Sequence, residues 1–283
     1  MVKRKIIIPF GLTLIFLVLS ALAALGICAE EKQVRKVTLD PYLGQRFYES
    51  TKLIPDQERS SPLATYRKPE LYKLYPQAKK ISLPPADFNG ISLEETIKKR
   101  RSKRQDDVFS DKPVSLKELS QLLFSASGIT GSNRGLELRA SPSAGALYPI
   151  EIYLMANNVL GLDEGVYHYS VSGHNLELLK AGDFRDRIAH AVMNQPGVKE
   201  SAVVFIFSAI PGRTTSKYDL RGWRYVYMEV GYVSENIYLE ATSLGLSTTA
   251  MSAFYDDELN NLLDLNGKDE MALHVQILGR KNE

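Results

Sequence analysis

Cysteine is almost missing from this chain: Cys28 is the only one in 283 residues. Downstream of it there can be no disulfide, no thiolate metal site and no cysteine nucleophile. Histidine is scarce too. His168, His174, His190 and His274 are all there are, and they show neither HExxH nor any other ligand spacing, so no metal is expected. His168 and His274 fall in strand-like runs and read as structural histidines. There is no GxSxG nucleophile elbow, no P-loop and no GxGxxG turn. Asp256-Asp257-Glu258 suits the acidic first turn of a helix better than a metal site. An excess of charge is absent as well. Taking Lys3, Arg4 and Lys5 from the 35 basic residues leaves 32 against 33 acidic ones. That balance gives no reason to expect nucleic acid or another polyanion as partner. No internal repeat or low-complexity tract interrupts the chain.

What is present begins with an address. The three basic residues precede an apolar run from Ile6 to about Ala24, then small residues, then Glu30-Glu31. This is the order of a secretory signal, with a cut expected after Ala29. Leu25-Gly26-Ile27-Cys28 also has the outline of a lipobox, and the run is almost long enough to span a bilayer. Residues 1–29 are therefore a cleaved signal, a lipid anchor or a membrane anchor. All three place the bulk of the chain outside the cytoplasm, with membrane contact only through this segment. Residues 30–90 are polar and punctuated by Pro41, Pro55, Pro62, Pro69, Pro76, Pro84 and Pro85. They lack sustained periodicity and read as a tether plus an arm on the domain surface.

Regular structure is expected from Ser92. Ser92 with Glu95, and Ser115 with Glu118, form capping-box patterns for two helices, the second closed by Gly128. A polar loop follows to Arg139. Strands are expected at 150–156, 165–169 and 176–180, a helix at 184–194, and a buried strand at 202–210, where AVVFIFSAI is apolar without a break. Arg213 to Arg221 reads as a polar loop. Arg221 to Ser247 reads as one long helix, apolar nearly all round, stopped by Gly245. Such a helix is buried in a core or shared between subunits. An extended piece, a short helix and a last buried strand complete an α+β domain over 91–283, with a central mixed sheet flanked by helices.

Three clusters could carry chemistry. Arg100-Arg101-Ser102-Lys103-Arg104 ends the first of these helices, where cations commonly just meet solvent and the helix dipole. Ser141 to Pro149 is a loop of small residues that lets a flat ligand approach the backbone. Lys217 and Tyr218 place an amine and a phenol at the edge of the core. In this order, and together with GVYHY (165–169), KYDLRGWRY (217–225), ATSLGLS (241–247) and the terminal LGR (278–280), they resemble the nitroreductase superfamily, in particular its SagB-type dehydrogenases, which include the thiazole and oxazole oxidases. The resemblance covers about the last two-thirds of the chain.

The resemblance implies a nitroreductase-like fold that binds FMN. Arg100 and Arg101 would hold the phosphate and ribityl end, as bidentate guanidinium groups do well. Ser102 would hydrogen-bond the flavin, and Arg104 would lie at its pyrimidine edge. Pro142, Ser143, Ala144 and Gly145 would lie along the flavin, supplied by the second subunit of a homodimer. Ser252 and Ala253 would present a backbone amide to it, and Arg280 would return to the phosphate. Lys217 and Tyr218 would be the catalytic base pair. The implied activity is two-electron oxidoreduction of a small molecule or peptide. The alternative is an exported flavin-binding protein without turnover.

Overall fold

The structure, a computed structural model, describes residues 37–55, 68–103 and 107–282. The expected signal, and Arg104 in the cationic cluster, lie outside the described residues. The chain divides into two compact units, the first ending at Ser50 and the second beginning at Thr51. The first holds helix α1 (Leu43–Ser50), which buries none of its residues.

The second unit contains, in order, β1 (Lys79–Ser82), α2 (Leu93–Lys99), β2 (Phe109–Ser110), β3 (Val114–Ser115), α3 (Leu116–Ser127), β4 (Ile129–Asn133), β5 (Leu136–Arg139), β6 (Ile150–Ala156), β7 (Val159–Leu160), β8 (Gly165–Ser170), β9 (Asn175–Ala181), α4 (Arg185–Ala191), β10 (Val203–Ala209), α5 (Gly212–Tyr218), α6 (Gly222–Ser243), β11 (Leu246–Met251), α7 (Asp256–Leu262) and β12 (Met271–Lys281). The main sheet runs β1-β9-β8-β6-β10-β12-β11, with β2 also on β12. Every pairing in it is antiparallel. The parallel pairing expected of a mixed sheet is confined to a separate ladder, β3 with β7.

The unbroken apolar run of β10 has a direct cause: both faces of the sheet are covered. Val203, Phe205 and Phe207 enter one core with Leu119, Leu122 and Val226 from α3 and α6. Val204 and Ile206 enter a second with Ile188 of α4 and Leu259 and Leu262 of α7. The caps hold as expected. Ser115 and Glu118 bond reciprocally in a complete capping box, while Ser92 accepts from the Glu95 amide.

Helix α6 differs from its expectation in an instructive way. Val226, Val230, Val233, Ile237 and Ala241 form its buried stripe, spaced as one helix face. Tyr227, Met228 and Tyr232 are exposed at 54%, 46% and 43%. Within one chain the helix is thus buried on one side only. The segment 213–221 is not a loop. It is helix α5 followed by a 3-10 turn at Asp219–Arg221. The expected loop before Arg139 is the β4–β5 hairpin.

Nor is the stretch before residue 91 all tether. Lys79–Ser82 pair with β9 as an edge strand of the main sheet. Lys73 Nζ donates to Glu270 at 2.5 Å and to Tyr153 Oη at 2.7 Å. These groups are polar, so no apolar periodicity announced the docking. Among the described residues no helix is long and apolar enough to cross a membrane.

Candidate active site

The turn at 141–149 is pinned at both ends. Ser141 Oγ donates to Ala126 O at 2.5 Å and accepts from Asn236 Nδ2 at 3.1 Å. At the far end Ile210 N donates to Pro149 O at 2.8 Å. Between them the backbone is left-handed at Gly145, Ala146 and Tyr148, with φ of 67°, 53° and 43°. Two of these are not glycine, so their surroundings must enforce the conformation. Ser143 Oγ accepts from Tyr148 N at 2.8 Å, and Glu229 Oε1 accepts from Ala144 N at 2.9 Å.

Helix α5 brings Lys217 and Tyr218 onto this turn. A methyl group at Gly145 would lie 2.8 Å from both Lys217 Nζ and Tyr218 Oη. Glycine is required there by contact as well as by φ. Arg213, one turn before Lys217 and only 1% exposed, anchors the helix. Its Nη1 donates to Tyr148 O at 2.9 Å and to Glu151 at 2.5 Å, and its Nε to Glu70 O at 2.7 Å. One guanidinium therefore ties together α5, the end of the turn, β6 and the segment before β1. Immediately after the pair, Asp219 adopts φ 52° and ψ −152°, a costly conformation for a residue with a side chain. Lys217 as a whole is exposed within one chain.

The cationic cluster lies beside α6 and β11. Arg100 ends α2, with its guanidinium carbon 5.3 Å from the centre of the Tyr238 ring and its Nε 4.0 Å from Glu235. Arg101 is exposed, and its Nη1 donates to the carbonyls of Lys98 and Arg100 at 3.0 and 2.7 Å. Ser102 Oγ donates to Tyr238 Oη at 3.3 Å, and that oxygen also accepts from Ala250 N at 2.7 Å. Ser252 Oγ lies 2.9 Å from His274 Nδ1, and Ala253 O accepts from Gln195 Nε2 at 2.7 Å. Burial holds the His274 imidazole below its ordinary range.

Arg280 stands differently. Its Nη2 donates to both oxygens of Glu118, at 2.8 and 2.7 Å, and its Nε to Pro113 O at 2.9 Å. Burial would raise the Glu118 carboxyl, but the Ser115 N–H and O–H and the Arg280 charge outweigh it and hold the group low. Arg280 also lines a groove of about 410 Å³ with Lys112, Gly245, Lys281 and Asn282. The structure thus brings Gly145, and with it the turn that holds Pro142, Ser143 and Ala144, onto Lys217 and Tyr218, and Ser102 towards β11. It engages Arg280 with α3.

Two buried groupings were not legible in the sequence. His168 offers one ring nitrogen to Glu151 at 3.0 Å and the other to Glu177 at 2.9 Å. Register explains the meeting, since Tyr153, His168 and Glu177 are neighbours across β6, β8 and β9, with Glu151 two residues along the same face. Burial would lower the imidazole, but two carboxylates raise it above its ordinary value. Glu229 is the second, a buried acid on the inner stripe of α6. The only signal for it was an acidic residue inside an apolar helical pattern.

A nitroreductase family model matches residues 97–280. A Methanocaldococcus jannaschii protein assigned to the nitroreductases is 41% identical over 203 residues, spanning 72% of this chain and 97% of its own length. The microcin B17-processing protein McbC of Escherichia coli is 28% identical over 183 residues, 62% of this chain and 66% of its own. A crystal structure from Ralstonia eutropha, also assigned to the nitroreductases, superimposes with a TM-score of 0.60 at 28% identity, over 72% of this chain and 90% of that one.

Proposed function

Because the chain belongs to the nitroreductase family of oxidoreductases, we propose that it is an FMN-dependent enzyme of the SagB-type branch acting on a small molecule or peptide. The observation that carries this reading is the meeting of Gly145 with Lys217 and Tyr218. A turn without side-chain bulk, facing an amine and a phenol, leaves a flat ligand close to groups that can move a proton.

The residues present fit FMN. Arg100 and Arg101 offer guanidinium groups at the end of α2 whose described partners are backbone carbonyls, an aromatic ring and one carboxylate at the 4.0 Å limit. They would hold the phosphate, with Ser102 at the ribityl chain or ring. Arg280 would join them only by giving up Glu118. Pro142 to Gly145 would lie along the ring, and Ser252 and Ala253 at the edge of β11. When bound, FMN would supply the two-electron hydride chemistry of the family. Lys217 and Tyr218 would take up the proton that the substrate loses with its hydride.

A general base works best where water is excluded, and a second copy of the chain would shield Lys217. The exposed face of α6, with Tyr227, Met228 and Tyr232 around Gly231, suits such a homodimer. Similarity to McbC supports a peptide as one substrate class. The basic and apolar N-terminus supports export. The exposure of Lys217 in one chain is the observation that favours the second reading, a flavin carrier without turnover.

Purified protein, when denatured, should release a yellow chromophore with flavin fluorescence. Colourless protein that fails to take up added FMN would overturn both readings.

A further inference from the structure

Glu229 is 4% exposed and sits on the stripe of α6 otherwise made of Val226, Val230 and Val233. Among the described residues no lysine, arginine or histidine comes within ion-pair distance of it. An acid buried this way is costly unless hydrogen bonding offsets the loss of water. Its recorded backbone bond is to the Ala144 amide, at 2.9 Å. That amide precedes Gly145, the residue whose Cα faces Lys217 and Tyr218.

The other restraints on the turn act elsewhere. Ser143 Oγ and Arg213 hold the amide and carbonyl of Tyr148, and Ser141 Oγ holds Ala126 O. At the centre, Ala146 N donates to Ser143 O at 3.1 Å within the turn itself, and among the described residues Glu229 supplies the side-chain grip from another element, on the Ala144 amide. Arg139, Pro142 and Tyr148 share with it a cavity of about 10 Å³, room for one water molecule. Arg139 Nε is buried without a partner and supplies the nearby positive charge on that cavity.

We propose that Glu229 is a positioning residue, whose carboxyl holds Gly145 against Lys217 and Tyr218 through the Ala144 amide. As a statement about catalysis it rests on the function proposed above; as a statement about the turn it does not. Burial raises this carboxyl, against the Ala144 and Ser143 hydrogen bonds that lower it. What the turn requires is the acceptor oxygen, not the charge.

Two substitutions remove the bond from opposite sides. Glu229→Ala deletes the acceptor, and Glu229→Gln keeps one. Ala144→Pro deletes the donor. Residue 144 opens a 3-10 turn and Ser143 before it is extended, at φ −139° and ψ 139°, so the backbone accepts proline there, and the Glu229 carboxyl, 2.9 Å from that nitrogen, must turn aside from the ring. The readouts are amide hydrogen exchange of the peptide covering 141–149 and fluorescence titration with FMN, both on the full chain. Glu229→Ala and Ala144→Pro should each speed exchange across this peptide about tenfold, the worth of one such bond. Their double variant should be no faster than either alone. FMN should bind about five- to tenfold more weakly in both single variants, and within about twofold of wild type in Glu229→Gln. Unchanged exchange in folded Glu229→Ala, or Glu229→Gln as damaged as Glu229→Ala, overturns the proposal. If Glu229→Ala does not fold, Ala144→Pro against Glu229→Gln decides by the same criteria. If wild-type protein takes up no FMN, the flavin reading falls and the exchange data still decide the role of Glu229.

Discussion

Arg101 and Arg213 carry the same charge in opposite surroundings. Arg101 is exposed at the end of α2 and its guanidinium reaches back to two carbonyls of its own segment. Arg213 is 1% exposed and its donors reach a carboxylate and two carbonyls from three other segments. A guanidinium that has met its partners at home is architecture. One that has met only neighbouring carbonyls still has charge to offer a ligand. Arg280 lies between the two, half-buried and held bidentately by Glu118. The molecule thus separates the cations that hold the site together from those that could hold what enters it.

The largest effect should come from the groups that Arg213 serves. The double variant Lys217→Ala, Tyr218→Phe should keep its FMN and lose about 10²–10⁴-fold in turnover. Flavin content and rate are measured together on whichever substrate a screen identifies. Wild-type turnover would remove the pair from the chemistry.

Arg213→Ala should break the architectural half of the comparison. It leaves buried Glu151 with His168 as its one remaining ion-pair partner among the described residues, a loss of about 3 kcal/mol, read as a fall in thermal or denaturant midpoint of the protein before FMN is added. A loss below about 1 kcal/mol would mean that the arginine is not the anchor it appears in the geometry.

Arg101→Ala and Arg100→Ala should do the reverse. They should weaken FMN binding by about 1.5–3 kcal/mol each and leave the stability of the flavin-free protein unchanged. Arg280→Ala should do some of both, because its removal also strips Glu118 of its partner. Unchanged affinity in all three variants would return these cations to the solvent.

The smallest effect is a pH dependence. The carboxylates of Glu151 and Glu177 outweigh burial and raise the folded pKa of His168 above the ordinary imidazole value. Its contribution is therefore full below about 6.5 and is lost as pH rises through the folded value. Wild-type stability, corrected for other groups, should fall across that window, and His168→Gln should flatten the fall. Identical slopes in the two proteins would show that the imidazole is already neutral between its two carboxylates.

Much of the fold was open to reading because apolar patterning and caps announce themselves. The β10 run, the Ser115–Glu118 box and the α6 stripe are of this kind. Helix α5 was hidden because its buried residues are Arg213, Thr214 and Thr215, which look like loop residues until the acceptors around them are known. Strand β1 was hidden because KKIS is a short edge, recognised by the backbone of β9 rather than by side chains. For the site, the RRSKR and SPSAGALYP segments were visible as unusual local compositions. That Gly145 touches Lys217 and Tyr218, residues more than seventy positions away, depends on the order of strands, which no local pattern carries. Glu229 shows the same limit, since its acceptor role exists only once Ala144 is beside it.

The edge strand β1 also bears on where this protein can be cut. A chain shortened to begin at 91 would lose four sheet residues, and β9 would present an open row of N–H and C=O groups, the kind of surface on which chains stack into aggregates. It would also lose Lys73 and Tyr75. Glu270 would then be left without its cation and Glu177 without an amide donor, both at the wall of the same core. A protease cutting just after β1 would therefore do more than trim a tail: it would replace a short edge bearing Lys79 and Lys80 with the longer, more adhesive edge of β9.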